Sequence, residues 1–129
     1  MTTKTESFVN IFKEKPIGLF DFLSSIFSSS GSVSFIYNTK AHFIITLYIK
    51  EKSGYAHFES IYNEIPKNVA SRGTIQSILD MGVKLGIYIK LVYPNDKRVK
   101  LYKLSKTAST ELDRFFENFL ELSKNLNKK

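Results

Sequence analysis

The sequence predicts a mainly α protein carrying one small β-hairpin, an α+β class, and three observations lead there. Six stretches repeat large apolar residues at helical spacing, two short β-rich runs alternate around a turn-forming connection, and the net charge of +7 falls on the stretch that holds the hairpin. A chain of 129 residues that is 43% hydrophobic and 14% aromatic buries a real core in one domain and is excluded from intrinsic disorder.

The elements follow in order. Residues 5–15 and 19–28 carry helical apolar spacing (Phe8, Ile11, Phe12; then Leu19, Phe22, Leu23, Ile26, Phe27) on either side of Pro16 and Gly18, which predicts two short helices or one kinked helix. Residues 28–34 are small and polar around Gly31 and predict a loop. Asn38 or Thr39 caps a central helix over residues 40–52, with Phe43, Ile44, Leu47 and Tyr48 expected inward and Ser53-Gly54 ending it. A short helix is expected over residues 56–64, with Phe58, Ile61 and Ile65 on one side and Pro66 closing it.

Ser71 is a good N-cap for a helix reaching about residue 85, with Ile75, Ile78, Leu79 and Val83 buried and Gly86 stopping it. Residues 87–93 and 99–104 then read as an antiparallel hairpin joined by the charged turn Pro94-Asn95-Asp96-Lys97-Arg98. A last helix over residues 110–126 carries the stripe Leu112, Phe115, Phe116, Phe119, Leu122, Leu126. Two Phe-rich terminal regions predict an apolar surface shared between two copies, which assigns dimerisation to Phe8, Phe12, Phe115, Phe116, Phe119 and Leu122; the alternative is that these helices fold back on their own chain. The expected organisation is one domain over 1–129: a helical dimerisation region over 1–34, a region of helices and hairpin over 38–106, and a dimerisation helix over 107–129.

Helix, helix, turn, helix and then a hairpin is the layout of a winged helix-turn-helix, whose second helix enters the DNA major groove while the hairpin, or wing, reaches the flanking groove. Residues 67–106 hold nine basic side chains against two acidic ones, and the remainder of the chain balances at ten of each. A concentrated positive charge of this kind is the footprint of a polyanion partner. The exposed side of the recognition helix should present Arg72, Thr74, Gln76, Ser77 and Lys84, opened by Ser71; Arg and Gln can read base edges in two-point contacts, while Ser and Thr suit phosphate. Asp80 is given no DNA role. Lys90, Lys97 and Lys100 complete the candidate contacts on the hairpin.

Gly86-Ile87-Tyr88-Ile89-Lys90, then Pro94-Asn95-Asp96-Lys97-Arg98 and Leu104-Ser105, resemble the wing signature of the MarR family of bacterial transcriptional regulators. That signature has a glycine ending the recognition helix, a basic residue soon after, an Asp-x-Arg at the wing tip and a Leu-Thr entering the last helix. The resemblance spans about residues 38–126. It implies that Arg98 reaches toward the minor groove and that Asp96 supports the wing tip. It also implies a homodimer on a pseudo-palindromic operator and a small aromatic effector that releases the protein from DNA. Ser105 replaces the usual Thr, Lys90 stands where Arg is common, and Gly82 lies where a large apolar residue is frequent. A mid-helix glycine costs about 1 kcal/mol relative to alanine, so Gly82 predicts altered packing or a bend. The connection over residues 66–70 is long for a helix-turn-helix turn.

Other classes fit less well. Without cysteine there is no disulfide framework or thiolate chemistry, and His42 and His57 lie too far apart in sequence to seed a zinc site. Gly82 and Gly86 lack the strand and spacing of a nucleotide-binding loop. Neither histidine has a Ser or Asp partner at a suggestive position, and Glu111, Asp113, Glu117 and Glu121 read as a solvated helix face. The expectation is therefore a binding protein rather than an enzyme, with no metal or cofactor. No apolar run reaches the roughly 20 residues of a membrane span, and the N-terminus lacks a signal-peptide layout, so a cytoplasmic protein without a membrane partner is expected. The competing expectation is a winged-helix module that binds another protein through its Phe-rich helices, with weak or no DNA contact.

Overall fold

The computed structural model describes residues 18–126. Helix α1 spans Leu19–Phe27, a 3-10 segment spans Ser32–Tyr37, and α2 spans Lys40–Lys52. Strand β1 (Ala56–His57) leads directly into α3 (Phe58–Glu64), and α4 (Arg72–Lys84) follows. Strands β2 (Tyr88–Val92) and β3 (Lys100–Leu104) form the hairpin, and α5 (Lys106–Leu126) ends the described chain. The sheet is antiparallel in the order β1-β3-β2, with Ala56 opposite Tyr102 and Tyr88 opposite Leu104.

Local chemistry sets most boundaries. Thr39 caps α2 by accepting the His42 backbone N–H at 3.2 Å, and Ser53 closes that helix in a left-handed conformation at φ 51°. Ser71 accepts the Thr74 N–H at 3.2 Å, and Gly86, at φ +78°, turns the chain out of α4 into β2. Ser105 caps α5 by accepting the Ala108 N–H at 3.1 Å, so this helix starts at Lys106, four residues earlier than periodicity predicts.

Three further expectations are corrected. Residues 56 and 57 do not begin a helix; they form the third strand of the sheet, because β3 offers an unpaired edge and buried Ala56 fits against it. The loop ends at Gly31, since Phe35, Ile36 and Tyr37 are buried and their backbone coils tightly to place all three in the core. In α2 the deeply buried residues are Ala41, Ile45, Thr46 and Ile49, whereas Phe43, Ile44, Leu47 and Tyr48 are only half-buried. This helix is apolar nearly all round, so spacing alone does not choose its inner face.

One cluster of buried side chains joins all these elements. Its aromatic end gathers Phe22, Tyr37, Phe43, Phe116 and Phe119 around Phe115, with ring centroids 5.1 to 6.0 Å apart. Its other end is a contact between α4 and the root of the hairpin. The Tyr88 ring packs against Gly82, where a Cβ would overlap it, and its buried hydroxyl meets Thr46 Oγ1 at 2.6 Å. Thr46 in turn donates to the His42 carbonyl at 2.7 Å. Gly82 therefore does not interrupt α4; it makes room for a tyrosine.

Candidate nucleic-acid interface

Helix α4 buries Ile75, Ile78, Leu79 and Gly82 and leaves Gly73, Thr74, Gln76, Ser77, Asp80 and Lys84 exposed along its outer side. Gln76 Nε2 donates to Asp80 Oδ1 at 2.9 Å, one turn on. The Tyr102 hydroxyl lies beside both, and burial together with the Asp80 charge pushes its pKa up.

The sheet register sorts the lysines of the hairpin. Residues opposite one another in an antiparallel pair share a face, and Tyr88 faces α4. The same face therefore carries Lys90, opposite Tyr102, and Lys100, opposite Val92. Lys103, opposite Ile89, belongs to the other face. Thus Lys90 and Lys100 stand on the side of the sheet that faces α4.

At the tip, Asp96 accepts three hydrogen bonds from Arg98, from its backbone N–H, Nε and one terminal nitrogen, each at 3.0 Å. The guanidinium holds the Asp96 carboxyl below its ordinary pKa while the Arg98 side chain stays 90% exposed. Lys100 Nζ donates to the Lys97 carbonyl at 2.8 Å, and Lys97 itself is exposed. The tip is thus a folded loop that presents cations.

Arg72 is placed differently from the sequence expectation. Its guanidinium lies against α3, donating to Glu59 Oε2 at 2.9 Å and Oε1 at 3.4 Å and resting over the rings of Tyr62 (4.2 Å) and Phe58 (5.1 Å). Lys67 Nζ also sits over Tyr62, at 3.6 Å. Sequence reasoning did not single out Phe58, Glu59 and Tyr62 as a group, although Phe58 and Tyr62 stand at i, i+4 spacing. What the sequence could not give was the partner, 13 residues away across a turn.

Of the side chains assigned to dimerisation, Phe115 is buried within its own chain, Phe116, Phe119 and Leu122 are half-buried, and Phe8 and Phe12 lie outside the described residues. Phe20 on α1 and Leu120 on α5 are 80% and 56% exposed. An open groove of about 660 Å³ lies between His42 and the outer side of α4, lined by Ser71, Thr74, Ser77 and Met81. Among the described residues no group of three His, Asp or Glu is placed to hold a metal ion, and no helix is long and apolar enough to cross a membrane.

No protein-family model matches the sequence, and no curated protein matches it. Solved structures do. The chain is similar to a multiple antibiotic resistance repressor, MarR, at 20% identity and a TM-score of 0.57, over 100% of this chain and 83% of that one. It is similar to Streptococcus pneumoniae FabT, solved in complex with DNA, at 17% identity and a TM-score of 0.57, over 98% and 82% of the two chains. A second MarR structure matches at 18% identity and a TM-score of 0.53, over 85% and 81%. This chain has the winged-helix fold of the MarR regulators. In the terms of that fold α3 and α4 are the helix-turn-helix, α4 is the recognition helix, and β2-β3 is the wing.

Proposed function

We propose that this protein is a transcription regulator of the MarR type that binds a pseudo-palindromic operator in double-stranded DNA as a homodimer. The observation that carries this reading is the placement of charge. The excess of cations falls mainly on the wing, where Lys90, Lys97, Arg98, Lys100 and Lys103 stand against Asp96 alone, Lys84 on α4 is exposed beside them, and the wing tip is folded around Asp96 to present Arg98. The similarity in fold to FabT, solved in complex with DNA, supports the same reading. In it Gln76, Ser77 and Lys84 face the major groove with Ser71 and Thr74 toward the backbone, Arg98 enters the neighbouring minor groove, and Lys90, Lys97 and Lys100 meet phosphates. The exposed apolar residues of α1 and α5, with Phe116, Phe119 and Leu122 beside them, form the self-association surface. A small aromatic effector that lowers DNA affinity completes the proposal.

Selection from a pool of random duplex DNA at two salt concentrations tests it, with Arg98→Ala in parallel. A two-fold symmetric site should be enriched, its half-sites about one or more helical turns apart, and its affinity should fall steeply with salt. Weak, unselective binding that Arg98→Ala leaves unchanged would refute the regulator and point to a protein partner instead.

A further inference from the structure

On a helix turning 100° per residue, the buried side chains of α4 at 75, 78, 79 and 82 define its inner face, and Gly73, Ser77, Asp80 and Lys84 stand opposite them. Arg72 falls on neither line. It projects from the shoulder of the helix toward α3, where three side chains fix it. Phe58 and Tyr62 lie parallel, 3° between their planes and 6.4 Å between centroids, and the guanidinium rests over both. Glu59, between them in sequence, takes two of its nitrogens, and its own carboxyl is held below its ordinary pKa by that contact.

A planar guanidinium stacked on rings and paired end-on with a carboxylate loses much of its freedom to swing toward a base edge. Its charge is paired with that of Glu59, which is as exposed as Arg72, at 58% against 53%. The sequence sets Arg72 beside Gln76 as a side chain able to read a base edge. Its surroundings contradict that role.

We propose that Arg72 is a positioning residue: through Glu59, Phe58 and Tyr62 it braces the first turn of the recognition helix against α3 and sets the angle at which α4 meets DNA. This inference rests on the DNA-binding reading above. Base recognition on α4 then belongs to Gln76, Ser77 and Lys84, and the rack of α3 controls how well that stripe fits its groove. The two helices that Arg72 joins are separated by residues 65–71, a connection longer than a tight helix-turn-helix turn.

The test uses the full-length protein and two duplexes, the selected site and a scrambled version, with Arg72→Met, Arg72→Lys and Glu59→Gln. Arg72→Met should weaken binding to the selected site on the order of threefold to tenfold. Binding to the scrambled duplex and the slope of affinity against salt should stay as in the wild type, and the lost preference should be spread over the positions that α4 faces rather than fall on one. Glu59→Gln should weaken the selected site in the same way, and Arg72→Lys should recover part of the loss. Lost preference at one base position would make Arg72 a reader instead; a slope smaller by about one would make it a phosphate contact. Tighter binding by Glu59→Gln would show a cation masked from DNA rather than a brace, and unchanged affinity in both variants would remove the role altogether. Should Arg72→Met fail to fold, Glu59→Gln, which keeps the arginine, decides alone. Absence of selective binding by the wild type would instead count against the regulator reading itself.

Discussion

Replacing Gly82 by alanine puts the packing of this fold to a direct test, because the same substitution at Gly73, on the same helix, should have the opposite sign. At Gly73 an added Cβ meets nothing within 4 Å, so the usual gain of alanine over glycine in a helix should appear, about 0.5 to 1 kcal/mol. At Gly82 the Cβ lands on three carbons of the Tyr88 ring. That ring cannot step aside freely, since it is buried and its hydroxyl is bonded to Thr46. Overpacking a close-packed site costs about 1 to 3 kcal/mol. Displacing the hydroxyl from Thr46 costs about 1 kcal/mol more. Setting the helix-propensity gain of about 1 kcal/mol against these leaves Gly82→Ala less stable by about 1 to 3 kcal/mol.

Urea unfolding at one fixed protein concentration, so that self-association does not move the midpoint, reads both variants. Tyr88→Ala supplies the second arm: its cavity costs about 3 to 5 kcal/mol by itself, but on that background Gly82→Ala has no ring to strike and should stabilise. If Gly82→Ala stabilises the unmodified protein as Gly73→Ala does, the claim that Tyr88 selects glycine at this position is wrong.

The wing, its acid response and the terminal helices give three further expectations. Arg98→Ala should reduce the slope of log affinity against log salt by about one and lower affinity for the selected operator, both read by fluorescence anisotropy across a salt series; an unchanged slope would take Arg98 off the phosphate and minor-groove surface. The Asp96 carboxyl is held below its ordinary pKa first by the Arg98 side chain and then by the Arg98 backbone N–H. Its ordering of the tip is therefore complete above the ordinary carboxylate range and is lost as pH falls through the lowered folded value. A carboxyl-carbon NMR titration should show the midpoint rise in Arg98→Ala, and an unmoved midpoint would break the pairing. Leu120→Glu, at an exposed position of α5, should shift the protein toward monomer in sedimentation while leaving the helical content intact; an undisturbed oligomer would place the self-association surface elsewhere.

The sequence made legible what is written locally. Thr39, Ser71 and Gly86 mark helix ends by their own hydrogen bonds or backbone conformation, and each stands where expected. The tip motif was equally readable, because Asp96 and Arg98 meet two residues apart. What escaped depends on partners distant in sequence. Ala56 and His57 become a strand only when β3 lies alongside, with Tyr102 and Leu101 as their partners far along the chain. The inner face of α2 is chosen by Tyr88 and the sheet, since its own residues are apolar on most sides. Gly82 looked like a defect until the ring that fills its place was known, and Arg72 looked free until Glu59 was found beside it.

These last two contacts have a joint effect on α4. At its first turn Arg72 ties the helix to α3; at its last turn Gly82 seats Tyr88, which ties it to β2 and, through Thr46, to α2. A helix held at both ends by interactions on its shoulder and inner side has little freedom to tilt or slide, yet Ser77 and Lys84 on its outer side take no part in holding it. The residues that orient the helix and those available to touch DNA are thus separate sets. Substitutions on the outer stripe should change which sequence is bound at small cost to stability, whereas substitutions at Tyr88 or Thr46 should unsettle the helix and the root of the wing together. Specificity in this fold can therefore diverge through three or four exposed positions while the frame that aims them is conserved by packing.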